Sequence, residues 1–169
     1  MENKARLKKG EMLGHMIVLA TNAHAGQFDK AGVPYILHPL AVMGMLSADD
    51  EERQCIAILH DVVEDTKITY QDLRDAGATD RVVAGVKALT KQPGQTYDEY
   101  QEEVFGNIDA MYVKSKDLTH NSDIKRLKGV TDKDIARIVK YHTFYLMLQE
   151  RIREFELLIS QLEQPSRPQ

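Results

Sequence analysis

Apolar residues recur at intervals of three and four along most of this chain, which is the spacing of one face of an α-helix. The first such series covers residues 12–23 and predicts a helix that ends before a polar, glycine-bearing loop at residues 26–34. A second helix is predicted from near Pro39 to about Leu46, because proline suits the first turn of a helix. The chain is therefore predicted to begin with two helices joined by a loop.

The remainder of the chain continues this helical pattern almost to its end. Asp49 and Glu52 have the spacing of a capping box, which marks the start of a third helix. The helices predicted after the second one cover residues 49–66, 69–74, 82–89, 97–105, 108–128 and 131–162, the last as one helix or two. No segment gives a strong strand signal, so the sequence predicts an all-α fold, a single compact helical bundle.

Length and charge limit the organisation of the protein and the class of its partners. A chain of 169 residues is the size of one domain, so we expect a single domain over residues 1–163 and a disordered tail at residues 164–169. The net charge of −4 argues against nucleic acid as a partner, since nucleic-acid-binding proteins usually carry a basic excess. The amphipathic segment 131–162 suits either internal packing or pairing with another chain, so an oligomer is possible.

Cysteine content and hydropathy favour a reducing compartment and give no sign of a membrane-spanning helix. Cys55 is the single cysteine, so no disulfide can form within one chain, which fits a reducing environment. No apolar stretch reaches the roughly 18 residues that a membrane-spanning helix requires, so no membrane partner is expected. We therefore expect a cytoplasmic protein.

The segment ILHDVVEDT, residues 58–66, carries the most distinctive chemistry. His60 and Asp61 follow an apolar run, and Glu64 and Asp65 follow within about one helical turn, so an imidazole and three carboxylates lie close together. Such carboxylates repel one another unless a cation lies among them. A divalent metal and the hydrolysis of a phosphate ester explain the cluster. Acids that face water at a helix end explain it equally well, and spacing alone does not separate the two.

Two other segments supply further candidates. His38 lies at the start of the second predicted helix, where it is either a third metal ligand or a loop or capping residue. Lys114, Asp117 and Asn121 are spaced by three and four, which places them on one helical face. A carboxylate between an ammonium and an amide suits a metal ligand flanked by phosphate-binding groups, although a solvated helix face explains the same spacing.

Taken in order, three stretches resemble the HD-domain hydrolases: AHAGQFDKAGVPYILHPLAV (23–42), AILHDVVEDT (57–66) and VKSKDLTHN (113–121). Within that class they look like the (p)ppGpp hydrolase domain of the Rel/Spo alarmone enzymes and the stand-alone small alarmone hydrolases. The resemblance covers approximately residues 11–150 and implies an HD-type helical bundle. It also implies an enzyme that removes pyrophosphate from the ribose 3′ position of guanosine tetra- or pentaphosphate, a small-molecule nucleotide.

The resemblance implies a role for each candidate residue. The metal ligands of the family, which usually hold Mn²⁺, match His38, His60, Asp61 and Asp117. The pair that positions and activates the attacking water matches Glu64 and Asp65. The residues expected to bind phosphate or nucleotide are Lys30, Lys114, Asn121 and Tyr141.

Two positions depart from the family's pattern. The loop typically carries Arg-Lys where this chain has Asp29 and Lys30, and an arginine usually follows the last metal-ligand aspartate, where this chain has Leu118. An aspartate cannot stack on a base or pair with phosphate as an arginine does. Both departures leave the metal site intact and keep two alternatives open. One is an HD-domain phosphohydrolase that acts on another nucleotide, and the other is a non-enzymatic module that retains the fold.

Overall fold

Helices form nearly all the regular structure in residues 8–163, the part of the chain that the computed structural model describes. These residues contain nine α-helices and one 3₁₀ turn: α1 (Glu11–Ala23), α2 (Leu37–Gly44), α3 (Glu51–Leu59), α4 (Val62–Asp65), α5 (Tyr70–Asp75), α6 (Asp80–Leu89), α7 (Tyr97–Phe105), α8 (Ile108–Asn121), the 3₁₀ turn (Ile124–Arg126) and α9 (Asp132–Leu162). Their β-type pairing is one isolated antiparallel bridge between Phe28 and Pro34. The all-α prediction is confirmed.

The predicted helix over residues 49–66 is wrong in two details. The residue that caps it is Asp50, whose carboxylate accepts a hydrogen bond from the Arg53 backbone N–H at 3.1 Å. The predicted helix is also divided in two: α3 ends at Leu59 and α4 begins at Val62. Apolar spacing does not reveal the break, since both of these flanking residues are fully buried and the buried face continues across it.

The predicted helix over residues 108–128 is too long. Helix α8 ends at Asn121, and the Asp123 carboxylate accepts a hydrogen bond from the Lys125 backbone N–H at 3.0 Å. Such local side-chain bonds compete with the helical hydrogen-bond ladder, and here one opens the 3₁₀ turn. Prediction and structure agree on α9, which is one helix.

The core is built around α3. Every residue from Cys55 to Leu59 is fully buried, and α3 packs against α1, α2, α6 and α8. Helix α6 approaches closely because it presents Gly85 to this helix. A Cβ atom at Gly85 would lie 2.5 Å from Cδ1 of Ile56, which is closer than real contacts allow. The close packing holds the C-terminal end of α3 in the protein interior.

One charged group is buried with the core. The Asp109 carboxylate, at the start of α8, is 5% exposed and pairs with Arg53 of α3 and Arg81 of α6. A buried carboxylate requires such partners. The network joins three helices, two of which carry predicted metal ligands at their other ends.

Part of the sequence prediction concerns residues outside the described range. The predicted disordered tail, residues 164–169, lies outside it, as do residues 1–7. The division into a domain over 1–163 and a tail therefore stays a prediction. Within residues 8–163, no helix combines the length and the apolar character needed to cross a membrane.

Candidate metal centre and adjoining clefts

Three separate elements bring the four predicted metal ligands together. His38 lies in the first turn of α2, His60 and Asp61 occupy the break between α3 and α4, and Asp117 lies in the C-terminal half of α8. His38, His60 and Asp117 are buried, and Asp61 is 23% exposed. The break in the helix matters here because it places two adjacent side chains at the same point.

The distances between ligand atoms fit a divalent cation. His60 Nε2 lies 2.9 Å from Asp61 Oδ2 and 3.2 Å from His38 Nε2, and His38 Nε2 lies 3.1 Å from Asp117 Oδ1. Two further pairs, His38 with Asp61 and His60 with Asp117, are 3.7 Å apart. Neighbouring ligands about 2.1 Å from a metal are about 3.0 Å apart in octahedral geometry and about 3.4 Å apart in tetrahedral geometry. The donor atoms of His38, His60 and Asp61 all lie within 4.8 Å of one another, and Asp117 Oδ1 lies beside the two imidazoles of that group.

Hydrogen bonds orient both imidazoles for coordination through Nε2. His60 Nδ1 donates to the Ala57 carbonyl oxygen at 2.7 Å, which directs Nε2 toward the other three side chains. His38 Nδ1 lies 2.7 Å from His120 Nδ1. Burial lowers the pKa of His120 to about 4, with help from Arg126 and His38, so His120 is neutral, and one of the two Nδ1 atoms donates to the other.

Each carboxylate ligand is also held by an outer partner. The Tyr35 hydroxyl donates to Asp61 Oδ2 at 2.6 Å. Asp117 accepts from Lys114 Nζ through Oδ2 at 2.7 Å and from Asn121 Nδ2 through Oδ1 at 2.6 Å. Outer hydrogen bonds of this kind fix the orientation of ligands in metal sites.

The electrostatics of the cluster favour positive charge at its centre. Burial opposes ionisation of Asp61, but the adjacent His60 outweighs burial and lowers the Asp61 pKa to about 2. Burial likewise opposes ionisation of Asp117, yet Lys114 and the two imidazoles hold its pKa well below the ordinary value. Burial would lower the pKa of His60, but the two carboxylates raise it well above the ordinary value. The site therefore stabilises a cation where the four side chains meet.

Glu64 and Asp65 lie on α4 beside the cluster, and each side chain is partly covered and partly open to solvent. Glu64 Oε2 accepts the Lys91 backbone N–H at 3.0 Å, and within the described residues Oε1 makes no hydrogen bond. Partial burial raises the pKa of both carboxyl groups, and the negative charge of Asp61 reinforces the rise. Both acids are thus shifted toward the proton affinity of a general base.

Two clefts reach His38. The first cleft, of about 330 Å³, is lined by residues of the loop before α2, of the 3₁₀ turn and of α9. The predicted substrate-binding residues on its lining are Lys30, Asn121 and Tyr141. The second cleft, of about 270 Å³, lies beside it and shares Arg126. Lys114 lines neither cleft, and its predicted phosphate contact stays a prediction. Two larger depressions, of about 1050 and 1090 Å³, contain none of the predicted site residues.

The sequence interpretation missed two residues that hold predicted metal ligands in place. Tyr35 lies three residues before His38, and His120 lies three residues after Asp117. At that spacing two side chains lie on the same side of a helix or turn, so proximity to each ligand was a usable signal. Their actual partners are the ligands of other segments, which local spacing does not reveal.

A third residue that the sequence interpretation missed is His24. It is 2% exposed, its Nδ1 lies 2.6 Å from Gln27 Oε1, and its ring packs 5.0 Å from the Tyr35 ring. Within the described chain its Nε2 has no hydrogen-bond partner. His24 therefore supports the tyrosine that orients Asp61.

Comparison with known proteins identifies the family of this chain. The family model described as the HD domain matches residues 17–128, more than half of the chain. The chain is 36% identical over 116 residues to a guanosine-3′,5′-bis(diphosphate) 3′-pyrophosphohydrolase of Haemophilus influenzae, a match covering 62% of this chain and 17% of that protein. It is 37% identical over 116 residues to the bifunctional (p)ppGpp synthase/hydrolase SpoT of Escherichia coli, covering 62% of this chain and 16% of that protein.

A solved structure shows the same fold. It is a metazoan ortholog of SpoT, described as hydrolysing ppGpp, and it superposes with a TM-score of 0.67 at 22% identity over 89% of this chain and 96% of that one. The chain spans about one sixth of the length of the curated relatives described above. The helical architecture and the HD domain match together define its family. This chain belongs to the HD domain family.

Proposed function

We propose that this protein is a Mn²⁺-dependent phosphohydrolase that removes pyrophosphate from the ribose 3′ position of guanosine tetra- or pentaphosphate. The observation that carries the proposal is the cluster of four potential ligands, each oriented by its own partner, with His38 on the lining of two clefts. The names of the curated relatives support the choice of substrate.

The ligand cluster would hold the cation through two imidazole and two carboxylate atoms. The proposed ligands are His38, His60, Asp61 and Asp117. A divalent cation, when bound, supplies a Lewis acid that polarises a phosphoryl oxygen and acidifies water. A set of two histidines and two aspartates accepts several divalent ions, and Mn²⁺ is the choice that the sequence resemblance implies.

The acids on α4 would handle the attacking water. Glu64 Oε1 is the oxygen available to accept its proton, because Oε2 is bonded to the Lys91 N–H. Asp65 would orient the water. The water oxygen would bond to the phosphorus next to the ribose, and the bond from that phosphorus to the 3′ oxygen would break. The proton that Glu64 accepted from the water would pass to that 3′ oxygen. Lys30, Asn121 and Tyr141, on the wall of the first cleft, would bind the nucleotide.

One observation favours a second candidate, a phosphohydrolase of the same class that acts on a different nucleotide. Asp29 lines both clefts and places a carboxylate where an anionic substrate would bind. A negative charge there disfavours phosphate unless a cation offsets it.

A panel of nucleotides incubated with the purified protein and varied divalent metals separates the candidates. The first proposal requires consumption of ppGpp or pppGpp with Mn²⁺. Intact ppGpp and pppGpp beside consumption of another nucleotide would favour the second. Absence of bound transition metal, together with no Mn²⁺-dependent thermal shift, would favour a non-enzymatic module.

Two variants test the assigned roles. Asp61→Ala is expected to abolish metal retention and turnover together, because a metal ligand is lost. Glu64→Ala is expected to abolish turnover while the metal remains bound, which metal analysis measures. Metal loss in the Glu64 variant would contradict its assignment to the water. The exposed Glu103 provides a matched control, as its alanine variant should keep both properties.

A further inference from the structure

Asp29 is built into the loop that precedes α2. Its Oδ1 accepts the backbone N–H groups of Ala31 and Val33, each at 2.9 Å, which closes a tight turn. Its other oxygen, Oδ2, faces Arg126 Nη2 at 3.4 Å across 97 residues of sequence. One carboxylate oxygen therefore holds the loop, and the other faces the opposite wall of the site.

Arg126 ends the 3₁₀ turn on that opposite wall. Its Nη1 donates to the His120 carbonyl oxygen at 3.1 Å and lies 3.4 Å from Asn121 Oδ1. These two neighbours contact the metal ligands His38 and Asp117 respectively. Arg126 and Asp29 are both on the lining of the first and the second cleft, so their ion pair stands between the two spaces.

Arg126 is the cation best placed for a nucleotide phosphate. Its contact with Asp29 is a single N–O distance of 3.4 Å between partly exposed groups, which makes a weak ion pair. Its Nε makes no hydrogen bond within the described residues, so the planar guanidinium retains donors for a phosphate. Arg137 lines the first cleft but not the second, and its guanidinium pairs with the Asp134 carboxylate at 2.9 Å. Lys30 lines the first cleft as well, and its side chain is exposed.

We propose that Arg126 binds the 5′-diphosphate of the nucleotide and determines specificity for it, and that Asp29 is a positioning residue that holds the guanidinium between the clefts. This inference rests on the proposed function, because it concerns the same site. The 3′-diphosphate would lie at the cation that the four proposed ligands would hold, and Arg126 would bind the phosphates that lie away from it. In this arrangement the charge of Arg126 offsets the negative charge of Asp29, so the substrate does not face an unpaired carboxylate.

Calorimetric binding of GDP and of guanosine to the Mn²⁺-loaded protein tests the proposal without requiring hydrolysis. Arg126→Ala is expected to weaken GDP binding about tenfold or more, because a charge-assisted hydrogen bond is lost, and to leave guanosine binding unchanged. The GDP affinity of Arg126→Lys should lie between those of the wild type and Arg126→Ala, since lysine keeps the charge without the bidentate geometry. The exposed neighbour Lys125 gives the control, with GDP binding unchanged in Lys125→Ala.

Asp29→Asn isolates the positioning role. Asparagine still accepts the two backbone N–H groups of the turn but loses the charge that attracts Arg126. GDP binding should weaken about threefold, as expected for a partly exposed ion pair. Unchanged or tighter GDP binding would overturn the positioning role.

Steady-state kinetics with ppGpp separate this inference from the proposed function. Arg126→Ala should raise KM about tenfold and leave kcat within about threefold, because the residue lies away from the reacting phosphorus. Hydrolysis of ppGpp by the wild type together with unchanged KM and GDP affinity in Arg126→Ala would overturn the inference alone. No hydrolysis by the wild type, with GDP binding that still depends on Arg126, would overturn the proposed reaction alone. Melting curves of each variant confirm that it is folded.

Discussion

Replacing Asp109 by alanine is expected to destabilise the protein and to loosen the helices that hold the proposed metal ligands. The carboxylate makes four contacts of 2.7–3.0 Å, two each with Arg53 and Arg81. Arg53 precedes His60 by seven residues and Asp109 precedes Asp117 by eight, which correspond to about 10 and 12 Å along the two helices. The network therefore fixes α3 against α8 at the ends opposite the proposed metal ligands.

The magnitude follows from burial and from the partners that remain. Removing one partner of a buried ion pair costs about 3–5 kcal/mol when the other charge stays buried and unpaired. Here Arg53 and Arg81 are 22% and 41% exposed and keep contacts with Asp50 and Glu52, which reduces that cost. We therefore expect Asp109→Ala to lower the free energy of unfolding by about 2–3 kcal/mol at pH 7.

The stabilisation by Asp109 should fade in acid. Burial opposes ionisation of this carboxyl group, but hydrogen bonds from Arg81 and Arg53 outweigh burial and hold its pKa below the ordinary value. A carboxyl group with a depressed folded pKa stabilises the protein above its unfolded pKa, about 3.9, and loses that contribution as pH falls through the folded pKa. The difference between wild type and variant should be smaller at pH 3 than at pH 7.

Urea unfolding followed by circular dichroism at both pH values measures this difference. The control is Asp80→Ala, because Asp80 is 97% exposed and lies 3.7 Å from Arg74, so its removal should change stability little. A loss below about 0.5 kcal/mol for Asp109→Ala at pH 7 would refute the structural role of the network. An equal loss at pH 3 and pH 7 would refute the electrostatic explanation.

Three further outcomes are expected. Gly85→Ala should cost about 1–3 kcal/mol in urea unfolding, since its Cβ would lie 2.5 Å from Ile56 Cδ1, and adding Ile56→Val should recover part of the loss. Tyr35→Phe should weaken Mn²⁺ binding about 10–100-fold in calorimetry, because Asp61 loses its outer hydrogen bond; unchanged affinity would contradict that role. Chelation should lower the melting temperature of the wild type and Mn²⁺ should restore it, whereas Asp61→Ala should respond to neither.

The helices could be predicted from the sequence because apolar spacing records which side of each element is buried. It identified α6, α7 and α9 to within a few residues. It could not reveal the break at residues 60–61, because the buried face continues from Leu59 to Val62. It could not reveal the end of α8 either, because the local hydrogen bond of Asp123 leaves the apolar pattern unchanged.

The ligands of the candidate site came from sequence motifs, and the structure brings them together. Their outer partners were not predicted, because contacts such as His38 with His120 join residues far apart in the chain. Leu118 also shows that a local sequence pattern does not reveal where a side chain lies. Its departure from the family's arginine suggested an altered substrate site, yet the side chain is 2% exposed within the hydrophobic core. Asp29 does line the clefts. Its effect on substrate binding depends on its contact with Arg126, which lies 97 residues away and which no local pattern connects to it.

The most direct test of the proposed function is chromatographic analysis of ppGpp after incubation with metal-depleted protein to which Mn²⁺ is returned. We predict that ppGpp is converted to equal amounts of GDP and pyrophosphate when Mn²⁺ is added, and that it stays intact while the chelator is in excess. Intact ppGpp in the presence of Mn²⁺, or cleavage at the 5′ rather than the 3′ diphosphate, would contradict the proposed function.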